Sequence, residues 1–219
     1  VPMDTQSMNI SGITRLHNQP YIPLKGTGTA VAIIDSGIDY TNEVFRNSDG
    51  SSRIAYLWDQ TIVSENTPPN LNYGTEYSKT DIDRALQAEN PFDIVPSQDT
   101  LGHGTFTAGI AAGSENIREQ FIGAAPDATL IVVKLKPAKK YIHDFYLLPE
   151  DALVYQEDDI MTALSYVKYC TQRLGNIPLS ICIPLGSNLG AHLGSSPLAN
   201  YADSLNRQSQ VAVSVAGGN

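Results

Sequence analysis

Cysteine is scarce in this chain of 219 residues: only Cys170 and Cys182 occur, so no disulfide framework can hold the fold and an apolar core must do so. Cys170 lies in a helix-like segment and Cys182 in a strand-like one, which predicts two buried free thiols. Basic residues are also few. Fourteen Lys and Arg face 23 Asp and Glu, for a net charge of −9 and a pI of about 4.8. That balance argues against nucleic acid as a partner, because phosphate binding needs clustered cations. No apolar run nears the ~20 residues of a membrane-spanning helix, so no membrane partner is expected. Tryptophan occurs once, at Trp58. The chain begins at Val1 and has neither the cationic nor the apolar region of a secretory signal, so it reads as a processed or trimmed product.

What is present describes a globular domain. Hydrophobic residues make up 42% and charged residues 17% of the chain. From Thr29 onward strand-like runs alternate with helix-like ones, a rhythm that predicts an α/β fold: a mostly parallel sheet flanked by helices. The predicted strands are Thr29 to Ile34, Ala128 to Leu135, Leu179 to Ile183 and Val211 to Val215. Apolar residues at three-and-four spacing predict a helix over Asp158 to Leu174, with acids at its start and Gly175 to close it. Ser196-Pro197 reads as a cap and first-turn proline for a helix reaching about Arg207. His103 to Gly113 is small and apolar, as suits a buried helix.

Two stretches interrupt the rhythm. Residues 46–98 are polar, contain Pro68-Pro69, Pro91 and Pro96, and read as a surface insertion with a hairpin around Ile54 to Trp58. Residues 137–156 form the second insertion, and the aromatics Tyr141, Phe145 and Tyr146 are expected to pack over the core or, as the alternative, to line a cleft.

The residues that carry chemistry sit in two short blocks 68 positions apart (103 − 35). Asp35 ends an apolar strand, at the mouth of an open α/β sheet, and continues as Ser36-Gly37-Ile38-Asp39. His103 opens a small-residue helix, flanked by Gly102 and Gly104, which permit close backbone approach. A hydroxyl nucleophile needs such partners: an imidazole to take its proton, and a buried carboxylate to hold the imidazole in one tautomer. Asp39 suits a turn cap, and Asp99 flanks the second block. His17, His143 and His192 stand in no motif and are read as packing or surface residues.

Four ordered blocks together resemble the subtilisin-like serine proteases, or subtilases. They are Asp35 to Asp39, His103-Gly104-Thr105 with Ala108-Gly109, Gly123-Ala124-Ala125-Pro126 leading into the strand to Lys134, and Val211 to Asn219. The likeness covers Met8 to Asn219 apart from the two insertions, and it makes residues 1–219 the N-terminal and central part of a subtilase catalytic domain. It implies that Asp35 orients the imidazole, that His103 is general base and then general acid, and that Asn219 donates its side-chain N–H to the tetrahedral oxyanion. Pro184, Leu185 and Gly186 stand where the family's Ser-Leu-Gly strand end pairs with an extended polypeptide substrate. Proline there lacks the N–H but keeps the carbonyl. The family commonly holds calcium through a carboxylate after the Asp block and a loop after the His helix. Here Val44 takes the carboxylate's place, the loop from Ser114 to Phe121 differs in length, and no metal or other cofactor is expected. Within the family, Lys134 to Lys139, Phe145-Tyr146 and Pro149 to Ala152 look like the clostridial germination-type (Csp) proteases, which implies a secreted or spore-associated protein.

The resemblance also exposes a gap. Subtilases carry their nucleophile in a Gly-Thr-Ser-x-Ala-x-Pro block, and this sequence has none. Ser36 adjoins the orienting acid, Ser195-Ser196 fits a helix cap, and neither Ser187 nor Ser214 has the strand-turn-helix context of a nucleophile. Three explanations stand: a fragment, one half of a cleaved enzyme whose second chain or C-terminal segment carries the serine, or a degenerate subtilase. The expected function is a serine endopeptidase acting through an acyl-enzyme, inactive as this chain alone. The alternative is a pseudoprotease that binds or regulates in spore germination. A nucleotide-binding α/β protein is disfavoured because no glycine-rich phosphate loop follows the first strand.

Overall fold

A computed structural model describes residues 3–22, 24–116, 118, 120–186 and 193–217. All six residues of β1 (Ala30–Asp35) are buried, as befits a central parallel strand covered on both faces. Side chains alternate along it. Ala30, Ala32 and Ile34 enter one core, Val31 and Ile33 the other. Asp35 therefore shares the face of Val31 and Ile33.

Around β1 the sheet adds β2 (Ile54–Asp59), β3 (Thr75–Ser78), β4 (Thr129–Lys134), β5 (Leu179–Ile183) and β6 (Val211–Val215), in the order β3-β2-β4-β1-β5-β6. Only β3, against β2, runs antiparallel. From β1 the chain first builds one side of the sheet and returns through β4, then crosses to build the other. The C-terminal end of β1 is thus a topological switch point, where a doubly wound sheet opens its crevice.

The first core is closed by α6 (Glu157–Arg173) and α7 (Pro197–Asn206). Ile160, Ala163, Leu164, Val167 and Cys170 form the buried stripe of α6, and Glu157, Asp158 and Asp159 favour its positive N-terminal end. The Ser196 side chain accepts a hydrogen bond from the Ala199 N–H, capping α7 as its sequence predicts. The opposite core lies under α3 (Lys79–Leu86) and α4 (His103–Ala112). Two short helices, α1 (Met3–Ile10) and α2 (Ile13–His17), precede the sheet, and His17 donates from Nε2 to the Ala124 carbonyl at 2.8 Å. Among the described residues no helix is long and apolar enough to cross a membrane.

Four strands match their sequence assignments to within a residue. The reading of residues 46–98 as a surface insertion is corrected: β2 lies inside the sheet between β3 and β4, with Ile54, Leu57 and Trp58 fully buried. Its parallel partner β4 lies some 70 residues downstream in a pairing that no local pattern encodes. The stretch 137–156 differs too. It contains α5 (Lys140–Tyr146), closed at its base by the hydrogen bond from Ala138 N–H to the Val154 carbonyl, and it stands off the core. Tyr141, Phe145 and Tyr146 are exposed rather than packed. Both cysteines are free; Cys170 is buried, with its thiol pushed up to about 12 by burial, while Cys182 is only half-buried.

Two charged ties cross the layers. Glu76 on β3 accepts from the Tyr166 hydroxyl at 2.8 Å and from Arg173 at 2.8 and 2.9 Å, fastening the sheet edge to α6. On the other side, buried Arg53 donates to the carbonyls of Ala128 (3.0 Å), Val44 (3.2 Å) and Ala112. Burial lowers its pKa to about 10, so it stays charged at neutral pH. Arg53→Met would retain an apolar stem and leave these carbonyls without their donor. It should cost about 2–4 kcal/mol, seen as a lower denaturation midpoint at unchanged m-value; an unshifted midpoint would remove Arg53 from the stabilising framework.

Candidate active site

The parity of β1 turns Asp35 toward α4, and α4 begins with His103. The imidazole Nδ1 donates to both carboxylate oxygens of Asp35, at 2.9 and 2.8 Å. Asp35 is 1% exposed and the His103 side chain 46% exposed, so the pair has a buried acid and an open imidazole. A carboxylate can only accept, which puts the hydrogen on Nδ1 and leaves Nε2 with the lone pair. Asp35 Oδ1 also accepts from the Ser36 N–H at 2.6 Å, so the buried charge is hydrogen-bonded from two sides. This arrangement can take a proton at Nε2 while the carboxylate stabilises the imidazolium.

Glycines make the approach possible. Gly102, the residue before α4, has φ of 80° in the left-handed region, which turns the chain into the helix. Gly104 is pressed against the turn after β1: an added Cβ would overlap the Gly37 carbonyl oxygen and lie 3.2 Å from Asp35 Cβ. No other residue lets α4 come this close.

The sequence reading did not bring Asp99 into the site. Its carboxylate accepts from the N–H groups of Gly102 (2.9 Å) and Thr105 (2.8 Å) and from the hydroxyls of Thr105 (2.7 Å) and Ser36 (2.8 Å). Burial alone would raise this carboxyl, but the hydrogen bonds from Thr105, Ser36 and Gly102 outweigh burial and hold it below the ordinary aspartate value. An acid just ahead of a helix that starts on glycine was the signal that could have found it. Tyr155, at the base of the 137–156 stretch, was also missed. Its hydroxyl is pushed up to about 12, by burial first and then by the nearby carboxylates of Asp35 and Asp99. Asp39 serves the turn as expected, accepting from the Thr41 N–H and hydroxyl at 3.0 and 2.5 Å.

Ser36 is 7% exposed, and its hydroxyl donates to Asp99 while accepting from the Gly104 N–H at 3.0 Å, so it is a structural link and not a nucleophile. Among the described residues no hydroxyl or thiol hydrogen-bonds the His103 imidazole. Past the end of β5, Pro184 and Leu185 are half-buried and Gly186 is exposed; Leu185 packs against the α6-side core. Asn219, Ser187 and His192 lie outside the described residues, although β6, which leads toward Asn219, is in the sheet.

The calcium position implied by the resemblance does not fit a metal. Val44 offers no carboxylate, and its carbonyl already accepts from Arg53 and, at 2.7 Å, from the Ser114 N–H. Lys25, Arg46 and Arg118 line the same cleft as Arg53, alongside Glu43, Glu115 and Asp127. A guanidinium fixed beside these carbonyls repels a divalent cation. Among the described residues no three His, Cys, Asp or Glu side chains converge as a metal site requires.

The subtilase family model matches residues 26–144, which is 119 of the 219 positions (144 − 26 + 1). No curated protein matches the chain. Among solved structures it is similar to the Clostridium perfringens CspB protease, at 31% identity and a TM-score of 0.78, over 96% of this chain and 40% of that one. It is similar in fold to Sphericase, at 22% identity and a TM-score of 0.56, over 95% of this chain and 52% of that one. The S41 psychrophilic protease gives 23% identity and a TM-score of 0.55 with the same coverage. The chain thus spans roughly two-fifths to half the length of the solved proteins it resembles.

Two outcomes are expected. Gly104→Ala should cost about 3 kcal/mol or more by overpacking against a backbone oxygen, whereas Gly102→Ala, with nothing within 4 Å of its added carbon, should cost only about 1–2 kcal/mol of left-handed strain. Chemical denaturation of both variants checks this, and equal costs would mean that the close approach to Gly37 is not limiting. The melting temperature of the complete protein should agree within about 1 °C in calcium and in chelator; a rise of several degrees with calcium would put a cation site in the fold after all.

Proposed function

The chain belongs to the subtilase family, and on that premise we propose that it is the N-terminal and central part of a serine endopeptidase domain and carries the proton-transfer half of its site. The observation that carries this reading is the hydrogen bond from His103 to buried Asp35 at the open edge of the sheet. The nucleophilic serine is supplied from outside this chain, by a further segment or a second chain.

Each residue then has a part in the chemistry. His103 Nε2 takes the serine hydroxyl proton as the oxygen attacks the substrate carbonyl, and Asp35 stabilises the resulting imidazolium and fixes its orientation. The imidazolium returns that proton to the leaving amine, giving an acyl-enzyme, and the neutral imidazole so regenerated takes a proton from water as it attacks the acyl carbon. Asn219 donates to the oxyanion of the tetrahedral intermediate. The backbone of Pro184, Leu185 and Gly186 pairs with an extended polypeptide, with the Pro184 carbonyl as an acceptor. Likeness to the CspB protease supports a germination-type, secreted or spore-associated enzyme.

The test is fluorophosphonate labelling of the complete protein, read by intact-mass spectrometry, together with peptidase kinetics of Asp35→Ala and His103→Ala. An adduct on a serine outside residues 1–219 is expected. Asp35→Ala should lower turnover by about 10⁴-fold and His103→Ala by about 10⁶-fold, sizes measured in subtilisin itself and therefore a family expectation. Wild-type turnover in either variant would refute the proton-transfer roles. A complete protein that forms no adduct would be a pseudoprotease, acting by binding.

A further inference from the structure

The Asp35–His103 pair joins two elements that are separate in sequence, and the pair alone does not fix their relative position. Asp35 ends a strand, His103 starts a helix, and the imidazole is half open to solvent. What ties the two backbones together is a second carboxylate and one hydroxyl. Ser36 N–H donates to Asp35 Oδ1 (2.6 Å), Ser36 Oγ–H donates to Asp99 Oδ1 (2.8 Å), and Ser36 Oγ accepts from the Gly104 N–H (3.0 Å). Asp99 Oδ2 meanwhile holds Thr105 through its N–H and its hydroxyl, and Thr105 Oγ1 accepts from the Asp39 N–H at 2.8 Å. The first turn of α4 is thereby fastened to both sides of the turn after β1.

Gly102 has no side chain with which to cap α4, so Asp99 takes that place and adds a negative charge at the positive end of the helix. A cap would need only the bonds to Gly102 and Thr105. The bond to Ser36 is additional, and it leads directly to the residue after the orienting acid.

We propose that Asp99 and Ser36 are positioning residues that hold the His103 imidazole in register with the Asp35 carboxylate, Asp99 acting through the Ser36 hydroxyl as well as through the α4 N-terminus. This deepens the protease reading above and rests on it for its kinetic consequence. Small displacements of a general base cost turnover more than substrate binding, because they weaken an interaction made in the transition state. Ser36→Ala removes the link, together with the acceptor it gives the Gly104 N–H, and leaves the Asp99 bonds to Gly102 and Thr105 in place. Asp99→Asn puts an amide where a carboxylate accepts from four donors, so at least one donor turns away.

In the complete enzyme, Ser36→Ala should lower kcat about ten-fold with KM within about two-fold, and Asp99→Asn should lower it further. Because both act through one link, the double variant should be little worse than Asp99→Asn alone. A second readout needs no turnover: the far-downfield proton resonance of His103 Nδ1–H, which reports its bond to Asp35, should shift or broaden in both variants. Wild-type kcat together with an unmoved resonance in Ser36→Ala would overturn the proposal and leave Asp99 as a helix cap only. Strictly additive effects of the two substitutions would overturn it as well. If the wild-type protein cleaves no peptide, the protease reading fails, and the resonance alone decides the positioning role.

Discussion

A carboxylate that is almost wholly shielded from water sits at the end of the central strand, and much of the surrounding structure exists to satisfy it. An ionised, unpaired Asp35 would be costly to bury, so the fold must bring donors to it. One comes from the next residue, as the Ser36 N–H, and the other from the imidazole of a helix 68 positions later. To deliver that imidazole, α4 must nearly touch the turn after β1, and this demands glycine at Gly104, while Gly37, whose carbonyl it meets, is glycine for its φ of 126°. A helix built from Gly104, Ala108, Gly109 and Ala112 on its buried side can come that close to the sheet. The site chemistry and the small-residue character of α4 are one constraint seen twice.

The sheet supplies the rigidity that this arrangement needs. β1 has strands on both sides and helices on both faces, so Asp35 moves only if the whole core moves. Charged ties then hold the outer elements. Arg53 fastens backbone near Val44, the end of α4 and the start of β4, while Glu76 joins the edge strand to α6. The Arg53 guanidinium meets carbonyl oxygens that a cation could otherwise draw on.

The stretch between β4 and α6 serves a different end. Its aromatic side chains face solvent on a short helix, yet its base turns Tyr155 toward Asp35 and Asp99. A segment with so little buried surface holds its shape through its base, where Ala138 pairs with Val154 and the Lys139 N–H reaches the Gln156 side chain. Apolar composition does not by itself place a segment in the core, because a seven-residue helix beside an already covered sheet has no free face to fill.

Some of this protein could be read from the chain alone. A continuous apolar run marked β1, three-and-four spacing marked α6, and the Ser-Pro cap marked α7, because each is a local pattern spanning one element. The Asp and His blocks were legible as local patterns, a strand-end acid and a glycine-flanked histidine, and the fold brings the two side chains into hydrogen-bond contact. Tertiary structure alone decided the rest. It put β2 inside the sheet, because its partner strand is distant in sequence, and it left the aromatics of 137–156 in solvent. It also drew Asp99 into the site through Ser36, since a hydrogen bond between residues 63 positions apart exists only once strand and helix have packed. Residue types and their spacing specify what chemistry is available, and packing specifies which groups are close enough to share it.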